Sequence, residues 1–168
     1  LADNNNFKNT IETLSQSDKD EKGDEELVLR FFATKNVRDI FRGNVRDWLD
    51  DYMENIILEK TVFDYAQEKN EFERLFYYLD DVIGSGAFVK YRGDSPIGGL
   101  APAYYEAVSI GTYSVIDQIN TKDQNKIKQA IITTVQSADF RNNTGPAANT
   151  RPKLEARIRV IGEALLQA

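Results

Sequence analysis

Apolar residues recur along this chain at helical spacing far more often than at strand spacing. Val45, Trp48, Leu49, Tyr52, Met53, Ile56 and Ile57 fall at i, i+3, i+4, i+7, i+8, i+11 and i+12, which predicts one helix with one apolar face. After Lys60 and Thr61 a second long pattern gathers Phe72, Leu75, Phe76, Leu79 and Ile83, and Gly84-Ser85-Gly86 closes it because glycine accepts left-handed C-cap geometry. Nearer the start, Phe7, Ile11 and Leu14 share a helical face, and the polar stretch 15–24, with Gly23 inside it, reads as a surface loop. Asp24 stands where an N-cap belongs, ahead of Leu27, Val28, Phe31 and Phe32, and Asn36 ends that helix.

The second half repeats the pattern. Ala101, Tyr104, Tyr105, Val108 and Val115 form one helical set, and Ile127, Ile131, Ile132 and Val135 another. A polar loop over 141–149 precedes a last helix with Thr150 as N-cap, Pro152 in its first turn where a missing N–H is harmless, and Leu154, Ile158, Ile161 and Leu165 inward. Only 87–92 alternates like a strand, and 93–99 with Pro96 reads as an irregular loop. No internal repeat or dividing linker is visible. The expectation is a single all-α domain over residues 1–168, an irregular bundle of six or seven helices with at most one short strand-like segment.

Composition narrows the chemistry more than the fold. The 168 residues are 41% hydrophobic and 29% charged, as in ordinary globular domains, and carry a net charge of −6. There is no cysteine and no histidine, which removes disulfides, thiolate or imidazole metal ligands, Ser-His-Asp triads and HNH-type nuclease centres. No catalytic residue, cofactor or metal is therefore expected, and the chain is not expected to act as an enzyme by itself. No apolar run approaches the ~18 residues of a membrane span, so no membrane partner is expected. The first residues lack the basic and apolar regions of a signal peptide, and lacking cysteine agrees with the cytoplasm, the expected compartment. Without an initiator methionine, the chain reads as part of a longer polypeptide.

Several segments, in order, resemble the N-terminal domain family of GmrSD-type restriction proteins. Asp24-Glu25-Glu26-Leu27-Val28-Leu29-Arg30-Phe31-Phe32-Ala33 is similar to that family's E-E-L-V-L-R-F-L-A helix. Phe41-Arg42-Gly43-Asn44-Val45-Arg46-Asp47-Trp48-Leu49-Asp50-Asp51-Tyr52-Met53 resembles its Y-x-G-x-x-x-x-F-L-N-x-Y-M segment. Ala103-Tyr104-Tyr105-Glu106-Ala107-Val108 resembles its A-L-F-E-A-V helix, and Asn149-Thr150 through Leu154, with Arg157-Ile158, its terminal N-T-x-x-x-L-x-x-R-I. Leu1-Ala2-Asp3-Asn4-Asn5-Asn6-Phe7 matches the L-A-x-N-x-x-F tail of a preceding helix. The likeness covers only the family's helical C-terminal half. The family's D-G-Q-Q-R motif belongs to a preceding ParB-like, sulfiredoxin-like part and does not occur in this chain, nor does a nuclease part. The resemblance implies a role in DNA defence for the parent protein and transfers no catalytic residue. It implies a helical scaffold that packs against the missing N-terminal domain, with DNA as a further partner.

Candidate surfaces follow from charge. The strongest basic region lies within 141–159, where a polar loop leads into a helix N-terminus whose free N–H groups attract anions. Its candidate contacts to phosphate or nucleic acid are Arg141, Asn143, Arg151, Lys153 and Arg157. An autonomous nucleic-acid-binding module using that region is the first alternative to the scaffold. A magnesium-dependent enzyme using Asp50, Asp51 and Glu54, with Asp80 and Asp81 facing them, is the second; a solvated acidic face is its plain counterpart. Lys35, Arg38, Arg42 and Arg46 would form a basic ridge if helical throughout, or else pair with Asp39, Asp47 and Asp50. Arg30, set among apolar neighbours, is expected to be partly buried with a carboxylate partner. Phe76-Tyr77-Tyr78 and Tyr104-Tyr105 could stack bases, but their spacing suits core and rim positions better.

Overall fold

A computed structural model of the chain describes residues 1–145 and 147–168. It is 68% helical, with a single two-stranded sheet. In chain order the elements are α1 (Asn5–Thr10), α2 (Gln16–Asp20), α3 (Gly23–Val37), α4 (Val45–Ile57), α5 (Tyr65–Val82), β1 (Lys90–Arg92), β2 (Ser95–Ile97), α6 (Pro102–Tyr113), α7 (Ile116–Ile119), α8 (Gln124–Gln136), α9 (Ala138–Asn142) and α10 (Arg151–Gln167). Ten helices among the described residues exceed the six or seven expected. The excess consists of α2, α7 and α9, short helices of four or five residues that the apolar period does not reveal.

α6 is the axis of the molecule. Every residue from 104 to 112 is buried, because α10, α3 and α5 all pack on it. At its closest approach to α10 it carries Gly111; a Cβ there would stand 2.7 Å from the Cβ of Ile161. On the α10 side Gly162 faces the carbonyl of Gly111. The two glycines let the backbones meet. On the opposite flank Phe7, Phe31, Phe72 and Phe76 form an aromatic cluster, with Phe72 and Phe76 ring centroids 4.3 Å apart and Phe7 edge-on to Phe76 at 4.9 Å. That cluster fastens α1 and α3 onto α5 and runs without a break into the rest of the core.

The long helices start and stop where their caps dictate. Asn44, Asp64 and Asp123 accept hydrogen bonds from free amides of α4, α5 and α8. The polar stretch expected to be a loop instead holds α2, with Ser15 accepting from the Asp18 amide. α3 begins at Gly23 rather than after Asp24 and runs one residue past Asn36. The expected irregular loop at 93–99 contains β2, which pairs antiparallel with β1 through Arg92↔Ser95. Gly93, at φ 59, takes the left-handed position that this two-residue turn requires. Thr150 is the N-cap residue of α10 but makes no side-chain cap hydrogen bond. Pro146, expected in the loop ahead of α10, lies outside the described residues. Among the described residues no helix is long and apolar enough to cross a membrane.

Candidate functional site

Buried charge is concentrated in one triad. Glu106 on α6 accepts from Arg30 of α3 at 2.7 Å and, through its other oxygen, from Arg157 of α10. Arg30 also reaches Glu26 at 2.7 Å, one turn back on its own helix. Arg157 donates further to the carbonyls of Ala148 at 2.9 Å and Asn143 at 3.2 Å. Burial opposes the charge on Arg30, but Glu106 and Glu26 outweigh it and its pKa is raised. The carboxylate partner expected for Arg30 is thus Glu106. Arg157 departs from expectation. It is 1% exposed and points inward, so it is not part of the basic surface. The physical reason is its register: Leu154, Arg157, Ile158 and Ile161 share the face that α10 turns toward α6.

A second, shallower network joins α3, α4, α5 and α6. Lys35 meets Glu68 and Glu71, each at 2.5 Å, and its ammonium lies 5.3 Å from the Tyr113 ring centroid. Asn36 donates to the Tyr52 hydroxyl and to Glu68, and Tyr113 donates to Glu71 at 2.5 Å. Burial acts against the Glu71 charge, yet hydrogen bonds from Lys35, Tyr113 and Gln67 bring its pKa down to about 2. Burial and the hydrogen bond to Glu71 push Tyr113 up to about 12. Most of these bonds join one helix to another.

The other basic residues scatter. Arg141 is exposed at the end of α9, beside Lys90 and Tyr104. The Asn143 side chain donates to the Asp139 carbonyl at 2.7 Å rather than facing outward. Arg151 is drawn to Glu155 at 2.8 Å and to the Asp39 carbonyl at 2.6 Å, which fastens the start of α10 to the turn after α3. Lys153 is half-buried, and Arg159 pairs with Glu163. The proposed ridge is broken because α3 stops at Val37: Lys35 turns inward, and Arg38 caps the carbonyls of Thr34 and Lys35. Arg46 only approaches Asp50, at 3.9 Å.

The acidic candidates also separate. Asp50, Asp51 and Glu54 are exposed on α4, Asp80 accepts from Asn9 at 3.1 Å, and Asp81 accepts from Gln124. Among the described residues no three such side chains converge as a metal cage. Of the aromatic candidates, Phe76, Tyr104 and Tyr105 are buried, and the Tyr105 hydroxyl donates to the Leu27 carbonyl at 2.9 Å.

What the pattern did not disclose is an uncovered apolar surface. A groove of about 630 Å³ runs between α3 and α4, lined by Leu29, Val45, Leu49 and Met53, with Glu26 and the triad's Arg30 in its wall and Lys22, Glu25, Arg46 and Asp50 beside them. One turn on, the apolar row of α4 continues into solvent. Met53 is 45% exposed and Ile57 70%, although their spacing had placed them inside with Trp48, Leu49 and Tyr52. Leu58, Val62 at 97% and Tyr65 are exposed as well, in the elbow between α4 and α5. Phe63 anchors that elbow, packing edge-on against Phe32 at 5.2 Å. The chain matches no family model, no curated protein and no solved structure.

Proposed function

We propose that the chain is a helical scaffold that docks another protein surface, the interaction portion of a GmrSD-like DNA-defence protein in the cytoplasm. Its partner in that reading is the preceding ParB-like domain, and the chain performs no catalysis alone. The observation that carries the docking role is the run of exposed large apolar side chains from Met53, at the edge of the α3–α4 groove, through Ile57, Leu58 and Val62 to Tyr65 in the α4–α5 elbow. The first residues lie beside the groove: Leu1, Ala2 and Asp3 share a small cleft with Glu25 and Val28 of α3. A domain joined ahead of Leu1 therefore starts next to the groove. The assignment to a defence protein rests on the motif resemblance.

The competing module reading is tested by titrating duplex DNA at about 50 and about 200 mM salt, the range over which phosphate contacts lose most of their affinity. The scaffold role predicts no binding at the lower salt. Binding that falls steeply with salt, and is lost in Arg141→Glu/Lys153→Glu, would replace it with a nucleic-acid role.

A further inference from the structure

We propose that the exposed α4–α5 surface takes a cationic amphipathic helix; the inference rests on the docking role above and names the chemistry of the partner.

Met53 and Ile57 stand one turn apart on α4, and Leu58, Val62 and Tyr65 are exposed in the elbow that follows. Asp50 and Glu54 form a parallel row beside them, three residues back from Met53 and Ile57 respectively. Glu59 and Asp64 are exposed in the elbow that follows, Asp64 also accepting from the Ala66 and Gln67 amides at the start of α5. From 50 to 65 the exposed charges are thus Asp50, Asp51, Glu54, Glu59 and Asp64 against Lys60 alone. Among the described residues, only Asp50 has a cation within reach, Arg46 at 3.9 Å.

Exposed apolar side chains on a segment whose charges are almost all carboxylates select their occupant. A second copy would bring acid against acid, as would an anionic membrane or a nucleic acid, and like charges facing across an interface oppose association. A partner with lysine or arginine flanking its apolar side chains satisfies both features. The elbow offers no strand edge, so recognition runs through side chains rather than backbone pairing. Apolar residues one turn apart on a partner helix match the Met53–Ile57 spacing, which favours a helix as the docking element.

The test titrates the 168-residue chain into a labelled synthetic helix of leucine and lysine, with leucines at i and i+4, followed by fluorescence anisotropy. A leucine–glutamate peptide of the same pattern serves as comparison. The expected result is saturable binding of the lysine peptide, weakened by salt, and at least tenfold weaker binding to Ile57→Ser/Val62→Ser. Both side chains are exposed, so circular dichroism of that variant should match the wild type, and its unchanged net charge separates this surface from general attraction to an acidic protein. Comparable binding of the glutamate peptide, lost in the same variant, would keep docking at this surface but overturn the charge selection. Equal binding of the lysine peptide to wild type and variant would overturn both. Concentration-dependent dimerisation, or adsorption to anionic vesicles, abolished by Ile57→Ser/Val62→Ser would assign the surface to a second copy or to lipid instead.

Discussion

Replacing Glu106 with glutamine tests whether the buried triad holds the helical core together. Among the described residues the carboxylate is the only anion that Arg157 meets, and Arg157 is 1% exposed. In Glu106→Gln one amide oxygen can still accept, but the amide nitrogen is turned on the other guanidinium, donor against donor. Arg30 keeps Glu26, which is partly in solvent, whereas Arg157 keeps only the carbonyls of Asn143 and Ala148. Removing one partner of such a buried pair costs about 3–5 kcal/mol, a large part of the ~5–15 kcal/mol that holds a domain folded. With a urea dependence of roughly 2 kcal/mol per molar, the unfolding midpoint should fall by about 1.5–2.5 M. The assay is urea unfolding followed by helical circular dichroism. Glu26→Gln removes the exposed half of the same arrangement and should cost no more than about 1 kcal/mol. A midpoint shift for Glu106→Gln below about 0.5 M at unchanged slope, about 1 kcal/mol at roughly 2 kcal/mol per molar, would refute the reasoning.

Three further outcomes follow from the same structure. Gly111→Ala drives a methyl group into Ile161 where α6 crosses α10, and overpacking of this kind should lower stability by about 1–3 kcal/mol, read from the same urea curves. Glu59, at φ 54, occupies the left-handed position of a Schellman turn in which the Lys60 amide reaches the Asn55 carbonyl at 2.8 Å, so Glu59→Gly should raise stability by about 0.5–1 kcal/mol. Because the Glu71 pKa is depressed to about 2 in the fold, its contribution is fully present above its ordinary value of 4.5 and drains away as pH falls toward 2. Acid titration of thermal stability should therefore be shallower over that window in Glu71→Gln. Equal slopes would contradict the network around Lys35.

Much of the fold was legible because its long helices each bury a periodic stripe: every apolar position expected inward on α8 and α10 is buried. α2 was missed because none of its residues is buried, although Ser15 three residues ahead of Asp18 was a readable cap signal. The Gly93-Asp94 turn between β1 and β2 carried a hairpin signal too, outweighed by Pro96. Arg157 could have been placed correctly, since it shares a helical face with Leu154, Ile158 and Ile161; reading it as one more member of a charge cluster obscured that. Its meeting with Glu106 could not be read, because 51 residues separate them and only the packing of α10 on α6 joins them. Met53 and Ile57 show the opposite limit. Periodicity marks a face as apolar but does not say whether a neighbour covers it.

The most direct measurement of the docking role is hydrogen exchange on the chain alone and on the same chain with a ParB-like domain joined ahead of Leu1. Docking at the proposed surface predicts added amide protection in 22–30 and 45–65, with 124–136 on the far helix α8 unchanged. Identical exchange in 22–30 and 45–65 with and without the joined domain would contradict it.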